Sequence, residues 1–366
     1  MGILNVMWQG GPAFVSVHNV HRDILRLSPA GTQIDTFLLR GGDAAPLLDV
    51  GSVSTLELSS ARIKGRGLAG FQRWFDRRRF ARLITKQQPQ VVLLDGIGVA
   101  AYVLPLLQDM KSTRAIVLFH GHKCLKSADV DLLRRFPADR LKLVAVSKTL
   151  AADLERQTGC PVVGGRVALD PSRVRTSLLS RSDARCALGL PVATGNVIGG
   201  VGRLVREKGF GLLIEAAGGW LKAHPEDCLV LFGEGPEREG LSSLAKSMGI
   251  SQQVRLLGHV ANASCFYRAF DLLCIPSSEE GLGLVLPEAV IAGVPVLAAR
   301  LPVFREQLSG DYGLVSSAEK VDWESALNQC LLGDLNRLAE QQWVGMDPER
   351  AWLSFLDFYR ALMRLT

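Results

Sequence analysis

The amino-acid sequence predicts an α/β protein with two domains, and three observations support this fold class. Short runs rich in Val, Leu and Ile alternate with helical patterns, many of the 37 glycines follow such runs directly, and 48% of the 366 residues are hydrophobic. Alternation of this kind is typical of parallel sheets covered by helices on both faces. A chain of this length and composition has enough apolar material for two separate cores.

The elements follow in order along the chain. A strand begins at the N-terminus, and further strands are predicted at 91–94, 115–119, 141–146, 197–201, 229–232, 254–257, 272–275 and 294–297. The interdomain hinge is placed in 168–196, which contains Pro171 and several arginines without a clear apolar period. We therefore expect an N-terminal domain at 1–170 and a second domain at 171–345. Residues 346–366 carry aromatic and aliphatic side chains at helical spacing, which predicts a packing helix.

Charge and composition limit the classes of partner and of location. The formal net charge of +6 suits an anionic partner such as a phosphorylated ligand or an acidic membrane surface. The seven cysteines are scattered and never spaced as CxxC, so neither a disulfide framework nor a zinc site is indicated. The N-terminus lacks the features of a signal peptide, and no apolar stretch approaches the roughly 20 residues of a membrane span. We expect a cytoplasmic protein.

The segment 62–86 combines nine Lys or Arg residues with one acid, Asp76, and with interleaved aromatic residues. This pattern fits an amphipathic helix that touches an anionic bilayer. It equally fits a helix that packs on the core and has a solvated basic face. Both interpretations stay open at the level of sequence.

Two carboxylates seven residues apart give the strongest local signal for a ligand site. Glu280 and Glu288 are separated by a glycine-rich turn that contains Gly281, Leu282, Gly283 and Leu284. A helix that starts near Leu284 would offer free N–H groups to a diphosphate, while the glutamates accept hydrogen bonds from sugar hydroxyls. The alternative is that Glu279 and Glu280 only cap this helix.

Three more loops follow predicted strands and are expected at the same sheet edge. The first carries Arg203 and Lys208, which can neutralise phosphates without a metal ion, or can merely form a solvated pair with Glu207. The second contains Gly233 and Gly235, whose small size is expected to let the backbone approach a ligand. The third covers 258–260.

These motifs together resemble a known family. The segments VGRLVREKG, LVLFGEGPE, LLGHV and PSSEEGLGLVLPEAVIAGVPVLA, between 197 and 298, are similar to those of retaining glycosyltransferases of family 4. The resemblance implies the GT-B fold, in which two Rossmann-like, doubly wound domains face each other across a cleft. It also implies a nucleotide-diphosphate sugar as donor substrate, with no cofactor and no metal.

The resemblance further implies a role for each matching residue. Arg203 and Lys208 would grip the donor's diphosphate. Glu280 would contact the hexose, and Glu288 would hold the ribose hydroxyls. Backbone groups of Gly281, Leu282, Gly283 and Leu284 would lie against sugar and phosphate, and Val260 would lie near the base.

The N-terminal half resembles the family more loosely. Gly10 and Gly11 match the glycine loop that approaches the diphosphate, His120 matches the histidine near the donor sugar, and Ser147 matches a strand-to-helix turn. The family's C-terminal helix crosses back onto the first domain, which is the role expected for 346–366. His120 and His122 also permit a metal pair, but no third ligand is identifiable, and we expect no metal. His18 and His21 have no partner pattern and are interpreted as structural residues.

The resulting hypothesis is a retaining transfer of a hexose to a hydroxyl of a glycolipid or oligosaccharide acceptor. His120, Glu280, Arg203 and Lys208 are the candidate catalytic residues. The basic segment 62–86 suggests work at an anionic membrane surface, for example on lipopolysaccharide core or another cell-envelope glycan, and nucleic acid is not expected as a partner. A nucleotide-sugar epimerase or hydrolase of the same fold, or a non-catalytic nucleotide-sugar binding protein, remains an alternative.

Overall fold

A computed structural model of the protein describes residues 2–9, 15–42, 47–64, 69–121, 124–192 and 195–364, with the side chains of 64 and 69–71 left out. The chain divides into two compact units. The N-terminal unit comprises Met1–Val167 together with Ser354–Thr366, and the C-terminal unit comprises Ala168–Leu353. The division lies three residues before the boundary expected from the sequence.

The N-terminal unit contains a seven-stranded parallel sheet in the order β3-β2-β1-β4-β5-β6-β7. Its strands are β1 Gly2–Met7, β2 Gln33–Leu38, β3 Ser52–Thr55, β4 Val91–Asp95, β5 Arg114–Phe119, β6 Leu141–Ala145 and β7 Val162–Gly164. Its helices are α1 Val15–Leu25, α2 Ser60–Lys64, α3 Ala69–Gln87, α4 Gly96–Val103, α5 Ser127–Arg135 and α6 Lys148–Thr158. The central strands are buried on both faces, which explains their nearly continuous apolar sequences.

The C-terminal unit contains a six-stranded parallel sheet in the order β10-β9-β8-β11-β12-β13. The strands are β8 Val197–Val201, β9 Cys228–Phe232, β10 Val254–Gly258, β11 Leu272–Ile275, β12 Val296–Ala299 and β13 Leu314–Val315. The helices are α7 Pro171–Ser177, α8 Arg181–Ala187, α9 Phe210–Ala223, α10 Arg238–Ser247, α11 Val285–Ala292, α12 Pro302–Leu308, α13 Lys320–Leu332, α14 Leu335–Met346 and α15 Pro348–Arg364. Two apolar clusters, one on each face of the sheet, form the core.

The last helix, α15, passes from one unit to the other. Phe355, Tyr359 and Met363 are buried, and this part of the helix belongs to the N-terminal unit. A Cβ atom at Gly165 would lie 2.6 Å from the ring of Phe358, so the chain after β7 approaches the helix closely. The helix therefore completes the packing of the first unit, although it follows the second in sequence.

The predicted strands match the observed ones with one shift and four omissions. The strand expected at 294–297 is β12 at Val296–Ala299, because the Val294 N–H still bonds to the Ala289 carbonyl at the end of α11, 2.9 Å away. The apolar pattern of the sequence did not indicate four strands, β2, β3, β7 and β13. Three of these are only two to four residues long, and β3 is largely exposed, so their apolar pattern is weak.

Helix α3 in the basic segment shows parts of both expected patterns. Phe80 and Ile84 are buried in the core, whereas Trp74 is 49% exposed and Phe75 is 57% exposed. The guanidinium of Arg78 lies 4.0 Å from the centre of the Trp74 ring. The helix thus packs through its second half and presents aromatic and cationic groups to solvent in its first half.

Two further expectations can be compared with the structure. All seven cysteines are free, as their spacing predicted. Within the described residues, no helix combines the length and the apolar character that crossing a bilayer requires.

Candidate functional site

Lys208 and Glu280 form the centre of the candidate site in the C-terminal unit. The Lys208 Nζ atom lies 2.5 Å from Glu280 Oε1, and the Ser277 hydroxyl donates to the same oxygen at 2.9 Å. Both charged side chains are largely shielded from water, with 18% and 11% exposure. A charge-assisted bond in such a setting holds the ammonium group in a defined place.

The loops that carry this pair are also joined through the backbone. The Ser278 N–H donates to the Glu207 carbonyl at 2.9 Å, which links the loop after β11 to the loop after β8. Lys208 therefore pairs with Glu280, and the alternative of a pair between Lys208 and Glu207 is not found.

The glycine-rich turn leads into α11 as expected from the sequence. The helix starts at Val285 with Leu284 as its N-cap, and the Leu284 side chain makes no capping bond. Glu280 bonds to Lys208 and Ser277, so it does not only cap the helix. The Gln307 side chain donates to the Leu282 carbonyl at 2.8 Å and fixes the turn. Amides in the first turn of a helix lack partners within it and favour anions.

Gly283 is required for the close packing of this turn. Its φ angle is +57°, and a Cβ atom there would lie 2.5 Å from the ring of Phe304. Phe304 belongs to the buried core of the unit. The turn is therefore held against a rigid support, which keeps the start of α11 in place.

Glu288 lies in the first turn of α11 and points to a different partner from Glu280. The Tyr267 hydroxyl donates to Glu288 Oε2 at 2.8 Å. Burial raises the pKa of Glu288 to about 7, and the hydrogen bond from Tyr267 acts in the opposite direction. The two predicted donor carboxylates thus differ in environment, since one is paired with a cation and the other with a phenol.

Arg203 and Val260 occupy the remaining loops at the same edge. Arg203 is exposed in the loop after β8, and no carboxylate among the described residues forms an ion pair with it. Val260 follows β10 and is partly buried against the core of the unit. Because parallel strands end at the same edge of a sheet, these loops and the Lys208–Glu280 pair share one side of the C-terminal unit.

Gly233 and Gly235, in the loop after β9, make contacts that differ from the expected one. A Cβ atom at Gly233 would lie 1.8 Å from the Gly202 carbonyl oxygen, and one at Gly235 would lie 2.2 Å from the Leu204 carbonyl oxygen. The Leu204 N–H also donates to the Glu234 carbonyl at 2.9 Å. These glycines therefore allow two loops to pack together, and the expected approach to a ligand is not what the contacts require.

A second group of polar residues lies in the N-terminal unit, at the carboxyl ends of neighbouring strands. Trp8 follows β1, Asp95 ends β4, and His120 follows β5. The Trp8 N–H donates to Asp95 Oδ2 at 3.1 Å, and Asp95 Oδ1 lies 3.6 Å from His120 Nε2. Trp8, Asp95 and His120 line a cavity of about 920 Å³, and Lys126 also lines it.

His21 joins this group, although the sequence analysis gave it no partner. Its Nε2 atom lies 3.1 Å from His120 Nε2, and the two residues are 99 positions apart. Burial lowers the pKa of His120 to about 3 and lowers that of His21 well below its usual value, so both rings are neutral near pH 7. Burial also raises the pKa of Asp95 to about 6.

The surroundings of His120 bear on the possibility of a metal. One ligand atom from each of His21, Asp95 and His120 lies within 4.8 Å of the others. His122, the partner considered from sequence, lies outside the described residues, as do Gly10 and Gly11.

Ser147 caps α6 by accepting a hydrogen bond from the Leu150 N–H at 3.1 Å, as a strand-to-helix turn requires.

Comparison with known proteins finds a family match within the C-terminal unit. Residues 189–338 match the family model "Glycosyl transferases group 1". This segment contains Arg203, Lys208, Glu280 and Glu288, and its similarity to glycosyltransferases is confirmed at the level of group 1.

Two curated relatives carry related descriptions. A D-inositol 3-phosphate glycosyltransferase of Corynebacterium urealyticum is 34% identical over 196 residues, which are 49% of this chain and 46% of that protein. The lipopolysaccharide core biosynthesis glycosyltransferase LpsD of Rhizobium meliloti is 42% identical over 117 residues, which are 32% of this chain and 33% of that protein. The chain thus matches less than half the length of these relatives.

Similarity of fold extends over the whole chain. The Anabaena protein Alr3699/HepE, whose crystal structure is in complex with UDP and glucose, superposes with a TM-score of 0.78 and 19% identity, covering 99% of each chain. The predicted GT-B class of two Rossmann-like units is confirmed.

Proposed function

We propose that this protein is a retaining glycosyltransferase that moves a hexose from a nucleotide-diphosphate sugar to a hydroxyl group of a saccharide or glycolipid. The observation that carries the proposal is the Lys208–Glu280 pair beside the start of α11, within the segment that matches the glycosyl transferases group 1 model. A fixed ammonium group and the amides of a helix start are suited to a diphosphate.

In the proposed reaction, the bond between the anomeric carbon and the diphosphate oxygen breaks while a bond to the acceptor oxygen forms on the same face. The acceptor proton passes to an oxygen of the leaving diphosphate. Arg203, Lys208 and the amides at the start of α11 stabilise the negative charge that develops there. Glu280 holds the hexose, Glu288 holds the ribose, and His120 contacts a hydroxyl of the sugar.

No metal ion is needed in this proposal, because the two cationic side chains and the helix start supply the positive charge. Full transfer in the presence of EDTA is the expected result. Activity that returns only when a divalent cation is added would contradict it.

The acceptor is proposed to be a cell-envelope glycan precursor such as lipopolysaccharide core. Two features support this choice: the name of the Rhizobium meliloti relative and the exposed Trp74 and Phe75 beside arginines on α3. Aromatic and cationic groups together favour the interface of an anionic membrane, where a growing glycolipid is found.

The first experiment is a thermal-shift screen of the purified protein against UDP-, GDP-, ADP- and TDP-linked sugars. A ligand at 100 times its Kd stabilises the folded state by about 2.7 kcal/mol, so a selective rise in Tm identifies the donor. The stereochemistry of the product, read from the anomeric proton by NMR, then tests retention. Absence of any shift would contradict the proposed donor site.

The same purified protein distinguishes a transferase from an epimerase or a donor hydrolase. Incubation with donor alone must leave it intact for a transferase, whereas an epimerase or hydrolase converts it without an acceptor. A protein that binds the donor and never consumes it, even with acceptor pools present, would instead be a binding protein.

A further inference from the structure

A chain of hydrogen bonds connects His120 to the interior of the N-terminal unit. Asn5 Nδ2 donates to the Thr36 hydroxyl oxygen at 3.2 Å, His21 Nδ1 lies 2.8 Å from Asn5 Oδ1, and His21 Nε2 lies 3.1 Å from His120 Nε2. Asn5, Thr36 and His21 are almost completely buried. The chain therefore belongs to the rigid core of the sheet and α1.

The direction of each hydrogen bond follows from the first. In this arrangement the Asn5 amide nitrogen donates to the Thr36 hydroxyl and the Asn5 oxygen faces His21, so the oxygen accepts a hydrogen bond from His21 Nδ1–H. A neutral imidazole carries one ring proton, so His21 Nε2 then presents a lone pair. His120 can meet this lone pair favourably only with an N–H group.

The geometry of the two rings supports a direct hydrogen bond. The ring centres are 5.2 Å apart and the Nε2 atoms are 3.1 Å apart, so the Nε2 atoms occupy the facing edges. The competing acceptor, Asp95 Oδ1, is farther from His120 Nε2 at 3.6 Å. The nearer partner of the His120 N–H is therefore His21.

The other ring nitrogen of His120 is left without a proton. Its Nδ1 atom is shielded from water and has no hydrogen-bond partner among the described residues. A buried acceptor without a donor is unfavourable, and a hydroxyl group that donates to it would relieve this cost. His120 lines the cavity at the carboxyl ends of the strands, and a small shift of its ring when substrate binds would bring Nδ1 to a hydroxyl there.

We propose that Asn5 and His21 are positioning residues that hold His120 as its Nε2–H tautomer, so that His120 Nδ1 accepts a hydrogen bond from a substrate hydroxyl. The hydroxyl belongs to the donor sugar or to the acceptor. This assignment of the substrate group rests on the proposed glycosyl transfer. The tautomer itself follows from the structure without any substrate.

NMR of the intact protein, labelled with ¹⁵N only at its six histidines, tests the tautomer directly. Protonated and bare ring nitrogens have well separated ¹⁵N shifts, and the His120→Gln variant identifies the His120 signals by their loss. At pH 7.5 without ligand we expect Nε2 protonated and Nδ1 bare. The opposite pattern in the wild-type protein would overturn the proposal. The His120→Gln variant serves only to assign the signals, and the remaining histidine signals, unchanged from the wild type, show that it folds.

Two substitutions of His21 provide the matched comparison. In His21→Leu the acceptor is lost, and the His120 signals should change to a mixture of both tautomers. In His21→Gln the amide oxygen can accept the hydrogen bond in place of His21 Nε2, and His120 should remain in its Nε2–H tautomer. An unchanged His120 spectrum in His21→Leu would contradict the role of His21, with Tm values confirming that both variants fold.

Addition of Zn²⁺ to the labelled wild-type protein separates a metal site from a hydrogen bond. The proposal expects the His120 Nε2 proton to remain at equimolar Zn²⁺. Loss of that proton, with shifts of both Nε2 signals, would show that His21 and His120 share a metal and would overturn the proposal.

Kinetics with the identified donor test the role in the reaction. His21→Leu is expected to lower kcat by about tenfold with little change in the donor KM, and His21→Gln is expected to restore most of the loss. His224→Gln, in the other unit, alters an exposed histidine that stacks on Trp220 and is the control, so it should leave both constants unchanged. If no donor is turned over by the wild type, the proposed function fails while the NMR result still decides the tautomer.

Discussion

Single ion pairs and hydrogen bonds decide how the two carboxylates of the candidate donor site behave. Glu280 bonds to a lysine and a serine, whereas Glu288 is enclosed beside a tyrosine. Burial raises the pKa of Glu288 to about 7, so the charge of this carboxyl group changes near neutrality. The two residues therefore have different partners, and their substitutions test different contacts.

Lys208→Ala is expected to lower kcat/KM by about 10²- to 10³-fold, because a positive charge aimed at the leaving diphosphate is lost. Steady-state kinetics with the identified donor measure the effect. Arg206→Ala removes an exposed cation from the same loop and should stay within about threefold of the wild type. Equal losses in both variants would indicate a general effect of charge and not a specific contact.

The pKa of Glu288 predicts a pH dependence of nucleotide affinity. The ionised carboxylate accepts hydrogen bonds from ribose hydroxyls, so affinity should be full above about pH 7 and fall as the pH drops below it. Tyr267→Phe removes the bond that favours the ionised form, so the pKa should rise and the midpoint should move to higher pH. Isothermal titration of the nucleoside diphosphate between pH 5.5 and 8.5 measures both midpoints.

The control for this measurement is Tyr312→Phe, which alters an exposed tyrosine of the same unit. Its midpoint should equal that of the wild type. A pH-independent affinity in the wild-type protein would show that Glu288 does not take part in nucleotide binding.

At the scale of elements, the loops that follow neighbouring strands support one another. The loop after β9 bonds to the loop after β8 through Glu234 and Leu204, and the Gly233 N–H donates to the carbonyl of Gly258, the last residue of β10, at 2.7 Å. These contacts are possible only because the chains approach without side chains between them. The site is thus a set of coupled loops and not a series of independent ones.

Gly235→Ala is expected to reduce the free energy of unfolding by about 1–3 kcal/mol, because the added methyl group meets the Leu204 carbonyl oxygen. Gly240→Ala on α10 is the matched control, since a Cβ atom there has no neighbour within 4 Å. In a helix this change should raise the free energy of unfolding by about 0.4–1 kcal/mol. Urea denaturation measures the free energy of unfolding of both variants and so shows whether it falls in one and rises in the other. Similar changes in both variants would refute the packing argument.

Helix α3 combines a buried half with an exposed aromatic half, and the two halves can be tested separately. Replacement of Trp74 and Phe75 by Ser should weaken sedimentation with vesicles of anionic phospholipid and leave Tm nearly unchanged. Phe80→Ala should instead cost about 3–5 kcal/mol of stability. Binding of the wild type to neutral vesicles as strongly as to anionic ones would contradict the electrostatic part of the membrane proposal.

At the scale of the whole molecule, the chain ends in the unit where it begins. Residues Ser354–Thr366 belong to the N-terminal unit, and α15 starts within the C-terminal one. The stability of the first unit therefore depends on residues that follow the second unit in the sequence.

Phe355→Ala should destabilise the N-terminal unit by about 3–5 kcal/mol, because the side chain is fully buried and its ring packs against that of Tyr359, with 4.7 Å between ring centres. Hydrogen exchange should show faster exchange in β4, β5 and β6 and little change in the second sheet. Leu353→Ala, at a residue that is 60% exposed, is the control and should change neither unit. Uniformly faster exchange in both units would contradict the assignment of this helix to the first.

The sequence by itself predicted the fold class, most long strands and the candidate donor-site residues Arg203, Lys208, Glu280 and Glu288. These features depend on patterns within a few residues, such as apolar runs that end in glycine-rich loops. The tertiary structure alone decided that Lys208 pairs with Glu280, that Gly233 and Gly235 serve contacts between loops, and that His21 bonds to His120. Such contacts join residues that are 31 to 99 positions apart. They arise from strand order and burial in the folded sheet, and no local pattern in the chain encodes them.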